Sequence, residues 1–326
     1  MKEPIFIHNN QKKWENIEKA LIGPEQLSPD LLASYYTALS EDLSYSQTYY
    51  PGSDVTVYLN TLTASYHKQI YQSKQQDKDR FKTFWTEEIP LETRKAHRYL
   101  LYALLIFSLS CLIGALSAAH DETFVRLILS DAYVDMTLEN IKNGDPMAVY
   151  KSQDSGSMFL AITTNNIKVS FLAFVSGVVS SIGTGYILLR NGIMLGAFQY
   201  FFFEKGVLID SLLSIWIHGT LEISAIVIAG GAGMLMGNSF LFPGTYSRKE
   251  SLIRGGRSGL KIIIGLIPVF IIAGFLESFV TRQTDWHWSI RVGIILFSLV
   301  AVLYYYIYLP IRAEKKVAAL EAEHNS

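Results

Sequence analysis

Apolar residues run without a charge from Tyr99 to Ala119. At about 1.5 Å of rise per residue, such a run crosses a hydrocarbon core about 30 Å thick. A second apolar zone, from about Asn166 to Gly237, is interrupted by Gly and Ser and divides into helices at roughly 166–182, 184–203 and 208–236. Lys261–Thr281 and Trp288–Leu309 add two more. The pattern predicts six spans. Five is the alternative if 184–203, which contains Arg190, is re-entrant. Gly183, Gly185 and Pro268 mark expected bends.

Before the first span the pattern becomes that of amphipathic soluble helices. Trp14, Ile17 and Leu21 share one face. Ser28 with Pro29 and Asp30 reads as a helix N-terminus, and Leu32, Tyr35, Tyr36, Leu39 and Leu43 recur behind it at helical spacing. Pro51-Gly52 breaks that helix, and Val55, Tyr58, Leu59, Leu62, Tyr66 and Ile70 form the stripe of the next. A fourth, from about Lys78 to Arg98, leads into the membrane along its surface. Asp42, Asn60 and His67 read as a buried polar network that fixes helix packing. Residues 120–165 hold another amphipathic helix, capped by Ser130, with Val134, Leu138 and Ile141 on one face and Asn143-Gly144 at its end. It is either a packed cover over the bundle or a binding surface. The fold class expected is all-α: a cytoplasmic helical domain at 1–98, a polytopic bundle at 99–311 with the loop at 120–165, and a tail at 312–326.

Composition and charge narrow the classes. Of 326 residues, 50% are apolar and 17% charged, against about 25% charged in an ordinary soluble domain. Residues 1–98 carry 12 Lys/Arg and 13 Asp/Glu, so the remainder is poor in charge. A purely soluble enzyme and a disordered chain are excluded. A net charge of −1 gives no footprint for nucleic acid. The single cysteine, Cys111, excludes a disulfide framework or a thiolate metal site within one chain. Residues 1–30 lack the continuous apolar stretch of a cleavable leader.

Basic flanks set the orientation. Arg94, Lys95 and Arg98 precede the first span; Arg248, Lys249, Arg254, Arg257 and Lys261 crowd the loop near 238–261; Arg312, Lys315 and Lys316 follow the last span. The 120–165 loop has three basic residues against seven acids. The basic segments belong in the cytoplasm with both termini, which requires an even number of spans. Arg94, Lys95, Arg98, Arg248, Lys249, Arg254 and Arg257 are candidate contacts to anionic lipid. Trp286 and Trp288 suit the outer interface, and Tyr304, Tyr305, Tyr306 and Tyr308 the inner one.

Ionisable and amide groups inside spans are costly and therefore candidates for function. Asn166, Asn191, His218, Glu222 and Glu277 form this set, with Arg190 beside Asn191. His218 and Glu222 lie four apart and face the same way. Such a pair can bind a metal, relay protons or coordinate a substrate; it can equally be a clasp between helices. No metal or other cofactor is expected, because HExxH, a second nearby histidine and CxxC are all missing, which leaves an intramembrane metallohydrolase as the weakest reading. GxSxG is missing too, and Gly230–Gly233 is not followed by the GK[ST] of a phosphate loop. Gly192 and Gly196 read as packing within one chain. The series Ala225, Ala229, Gly233 and Gly237 leaves a homodimer face as the alternative.

The stretch His218-Gly219-Thr220-Leu221-Glu222, followed by Ile223 through Gly230, resembles the HGxxE signature of the stage II sporulation protein M family. Asn166, Asn191-Gly192 and Gly196 are similar to that family's pattern, as are Tyr36, Asp42-Leu43, Tyr58-Leu59-Asn60, His67 and Tyr71. The resemblance covers about residues 5–280; the last span and tail match no motif of it. It implies a multi-spanning protein of the bacterial inner membrane without established catalytic activity. It implies partners as well: a peptidoglycan hydrolase in the namesake's complex, or a MoxR-type ATPase system. The function expected is a non-enzymatic component or scaffold of a cell-envelope complex. A channel or transporter for an ion or small solute, using the His/Glu/Asn cluster, is the alternative. Asn191, His218, Glu222 and Glu277 are expected to meet at one depth inside the bundle.

The orientation is testable by cysteine labelling. In a chain lacking Cys111, a cysteine at Ser152 should react with an impermeant thiol reagent in intact cells, and one at Ser247 should not. The opposite pattern would invert the topology.

Overall fold

The computed structural model describes residues 2–22, 27, 29–72, 80–151, 154–179, 181–283 and 286–324, and no strand occurs among them. Ser28, Lys78 and Ser152 lie outside the described residues. The chain divides into two compact units, Met1–Phe81 and Lys82–Ser326.

The first unit is built on α1 (Glu3–Ile22), α2 (Pro29–Tyr49) and α3 (Asp54–Gln72). The apolar stripes read from the sequence face one another: Trp14, Ile17, Leu39, Leu59 and Tyr66 are almost wholly enclosed. Gly52, with φ +85°, makes the turn between α2 and α3. Several polar side chains of the interior find partners. Trp14 Nε1 donates to Asp42 Oδ2 at 2.7 Å, and Lys13 pairs with the same carboxylate. Tyr66 donates to the Ile17 carbonyl at 2.7 Å and Tyr58 to Glu18 at 2.8 Å. Asp42 therefore has the structural role expected of it. Asn60 and His67 differ: both are exposed, on the same side of the buried α3 stripe.

In the second unit, α4 (Arg80–Thr83) and a π turn (Phe84–Glu88) lead into α5 (Ile89–His120). Residues up to 98 were expected in the soluble domain, but from Lys82 onward they belong to this unit. Ile89 is fully buried against Gly265, Lys261 pairs with Glu88 at 2.7 Å, and Arg94 pairs with Glu314 at 2.7 Å. These contacts pin the helix to the bundle.

The loop contains α6 (Glu122–Leu129) and α7 (Asp131–Lys142), the latter capped by Ser130 as expected. Val125, Val134 and Met147 pack on Phe201, Phe202 and Ile215, so the segment is a packed cover over one end of the bundle. It ends earlier than the hydropathy suggested. Asp154 accepts from the Gly156 and Ser157 amides and starts α8 (Ser155–Val175), which places Asn166 in mid-helix. Ser, Thr and Asn in the first half of α8 had masked it.

After a 3-10 turn (Ser176–Val179) come α9 (Ser181–Glu204), α10 (Leu208–Leu241) and α11 (Arg248–Phe275), the last continued by a π turn (Leu276–Val280). Helix α12 (Trp288–Leu303) passes through another π turn (Tyr304–Tyr308) into α13 (Leu309–His324). Among the described residues, five helices are long and apolar enough to cross a membrane. The remaining helix, α9, is continuous and about 36 Å long at the standard rise; Arg190, Asn191 and Gln199 dilute its apolar character.

Helix α10 is the hub: 56% of its most apolar stretch is enclosed, against 17% for the α12–α13 helix. Lipid supplies no hydrophobic push between helices, so close backbone approach matters more there. Gly192 and Gly196 lie on the α5 backbone at Ser110 and Cys111, and Gly233 on the α8 carbonyls of Ala173 and Phe174. Both small-residue series are therefore used inside one chain. Of the tyrosines assigned to an interface, Tyr304 and Tyr308 are exposed; Tyr305 and Tyr306 turn inward and donate to the Trp85 and Gly265 carbonyls.

Residues 1–81 expressed alone should be soluble and helical by circular dichroism. Burial, and then Glu18, push the Tyr58 phenol up to about 12, and burial pushes Tyr66 up to about 12, from an ordinary 10.0. The fold favours the neutral phenol, so this stability is complete below pH 10 and is lost as pH rises toward 12. The melting temperature should fall across that window, and Tyr58→Phe with Tyr66→Phe should flatten the fall. A fragment that stays random coil, or a melt insensitive to alkali, would refute the description.

Candidate functional site

The 3.6-residue repeat puts His218 and Glu222 on one face of α10, and that face turns inward; His218 is 3% exposed. Helix α11 brings Glu277 to the same place. Its π turn, closed by the Thr281 amide on the Leu276 carbonyl at 2.8 Å, widens the helix just where Glu277 and Thr281 face α10. Helix α8 supplies Asn166. It lies close to α11 because Gly274 has no Cβ: one would collide with Thr163 Oγ1.

The groups form one cluster. Asn166 Nδ2 donates to Glu222 Oε1. The Glu222 and Glu277 carboxyls stand side by side, with their facing oxygens within 4.8 Å of each other. His218 Nε2 stands 3.8 Å from Glu277 Oε1, and Nδ1 is 2.9 Å from Thr281 Oγ1. The ligating atoms of His218, Glu222 and Glu277 all lie within 4.8 Å of one another. A cavity of about 340 Å³, lined by Ala161, Ile162, Asn165, Asn166, Glu222 and Glu277, opens beside the exposed Ala161 and Asn165.

Two further participants carried no sequence signal. Tyr150, in a 3-10 turn of the loop (Ala148–Lys151), sets its ring edge-on to His218 with centroids 5.8 Å apart. Arg282 donates to the Tyr150 carbonyl at 3.1 Å and ties the loop to the end of α11. Burial, and then the Glu277 carboxyl, hold the Tyr150 phenol well above its ordinary value, so the site is roofed by a neutral ring. Only a tertiary contact across the loop marks either residue.

Four of the five residues singled out from the sequence are thus Asn166, His218, Glu222 and Glu277 at one place. Asn191 differs from expectation: its amide donates to the Ile187 carbonyl of its own helix at 2.8 Å, and Asn166 takes the role foreseen for it. Arg190 lies exposed on α9. The seven basic candidates for lipid lie in the N-terminal halves of α5 and α11. Arg94 pairs with Glu314, Lys95 with Glu92 and Arg254 with Glu250. Arg98 lies over Tyr99 and Arg248 over Phe240, while Lys249 and Arg257 are exposed. Exposed pairs of this kind hold about 0–1 kcal/mol.

The family model described as stage II sporulation protein M matches residues 103–282, more than half of the chain and all five candidate residues. A model described as a domain of unknown function matches residues 5–72. A protein of Methanocaldococcus jannaschii, described as uncharacterized, is 24% identical over 196 residues, which is 59% of this chain and 84% of that protein. No solved structure matches.

Asn166→Ala leaves the Glu222 carboxyl without its amide donor, at a cost of about 1–3 kcal/mol. The purified protein should then melt roughly 2–10 °C lower. Asn191→Ala should move the melt far less, because that amide bonds only its own helix. Equal losses would contradict the geometry.

Proposed function

The chain belongs to the stage II sporulation protein M family, and on that premise we propose that it is a non-enzymatic component of a membrane-protein complex in the cytoplasmic membrane, with both termini in the cytoplasm. The observation that carries this reading is the outer face of α8. Thr164, Asn165 and Lys168 are exposed on the bundle surface near the middle of a span. Lipid tails satisfy none of these groups, and an intramembrane cation is costly unless it is paired or snorkels to the interface. A second membrane-embedded chain along α8 would cover them. The family resemblance suggests the class of partner, an envelope enzyme or an ATPase system, and the helical unit at 1–81 offers a cytoplasmic attachment point. Basic helix ends would hold the assembly on anionic lipid.

The cavity that reaches Glu222 and Glu277 favours a second reading, passage of an ion or small solute. Transporters place their coupling sites among such intramembrane polar groups.

Extraction from native membranes in mild detergent should recover stoichiometric partners. A cysteine at Asn165, in a chain lacking Cys111, should crosslink to one of them. A chain that purifies alone and forms no crosslink would refute the complex. Ion flux in liposomes holding the chain alone would then support the second reading.

A further inference from the structure

We propose that His218, Glu222 and Glu277 bind one divalent transition-metal ion, of the zinc or manganese class, inside the bundle beneath Tyr150. This stands apart from the proposed complex and holds whether or not a partner covers α8.

Spacing is the first argument. Two ligands held about 2.0–2.2 Å from one ion stand about 3–4 Å apart. His218 Nε2 and Glu277 Oε1 are 3.8 Å apart, too far for a hydrogen bond and suited to two ligands of one ion. All three donors fall within 4.8 Å of one another.

The imidazole is the second argument. His218 is 3% exposed and its Nε2 aims into the cluster with no hydrogen bond at bonding distance. The Thr281 hydroxyl donates to the Leu276 carbonyl at 3.1 Å, which leaves its oxygen to accept Nδ1–H of His218 at 2.9 Å. Nε2 then presents a lone pair to the two carboxyls. A ligating histidine held through its other nitrogen by an outer partner is the usual arrangement at metal sites. Asn166 orients Glu222 in the same manner.

Charge is the third. The ion pairs of the described residues bring no Lys or Arg to Glu222 or Glu277. Two carboxyls side by side in an apolar bundle need a shared proton or a cation, and a divalent ion neutralises both. Imidazole nitrogen with carboxylate oxygen suits zinc and manganese; calcium and magnesium prefer oxygen alone, and copper(I) prefers sulfur. The cavity between Asn166 and the carboxyls leaves room for water at a further coordination position. A metal was not expected from the sequence because HExxH, a second nearby histidine and CxxC are missing; the packing of α10 on α11 brings three donors together without any of these motifs.

The test uses the full chain in mild detergent, stripped with a chelator and titrated with Zn²⁺, Mn²⁺ and Co²⁺, the last read by its visible spectrum. One ion per chain should bind, and it should raise the melting temperature. His218→Gln and Glu277→Gln should abolish binding. Thr281→Val keeps all three ligands and the shape, and should weaken affinity about 10–100-fold. His120→Ala, an exposed histidine elsewhere, should leave binding unchanged. Absence of stoichiometric binding, binding that survives His218→Gln, or unaltered affinity in Thr281→Val would overturn the proposal. Should His218→Gln fail to accumulate, Thr281→Val decides.

Discussion

A carboxyl group withdrawn from water among apolar helices is tolerable only where neighbours satisfy it, and the placement of α8, α10 and α11 answers that demand. Glu222 on the central helix draws Asn166 from one side and Glu277 from the other. Thr281 holds the imidazole that closes the cluster. Each of these partners lies on a different helix from Glu222, so the polar groups fix the rotation of three helices at once. Dispersion between apolar side chains is less selective, since a small rotation exchanges one methyl contact for another.

That constraint operates only because the backbones can approach. Gly274 admits Thr163 beside the cluster, and Gly233 admits the carbonyl end of α8. On the far side of the hub, Gly192 and Gly196 let α9 lie on α5. The small residues thus act as the means of assembly for one chain. What the bundle leaves exposed on α8 is of another character: a polar face at Thr164, Asn165 and Lys168.

The loop completes the site from above. Its two short helices are held by an apolar face over Phe201, Phe202 and Ile215, and this fixes the 3-10 turn that carries Tyr150. The ring shields His218 from the loop side, while Arg282 secures the turn to α11. Access to the carboxyls comes laterally, past Ala161 and Asn165 of α8.

Features that depend on periodicity along one segment could be read directly from the residues. The stripes of α1, α2 and α3, the run from Tyr99 to Ala119, the Ser130 cap and the shared face of His218 and Glu222 were all legible, because each is a property of neighbours three or four residues apart. Helix beginnings among Ser, Thr and Asn were not: α8 starts at Ser155, where capping by Asp154 outweighs low hydropathy. Which amide meets Glu222 depends on helix packing across the bundle. Asn166 and Asn191 are equally polar and both sit in apolar helices, yet close packing of α8 on α11 turns one inward, while the other bonds back to its own turn. Tyr150, Thr281 and the inward turn of Tyr306 belong with it. Rotation and register between helices are set by contacts of residues far apart in the chain, and local spacing carries no record of them.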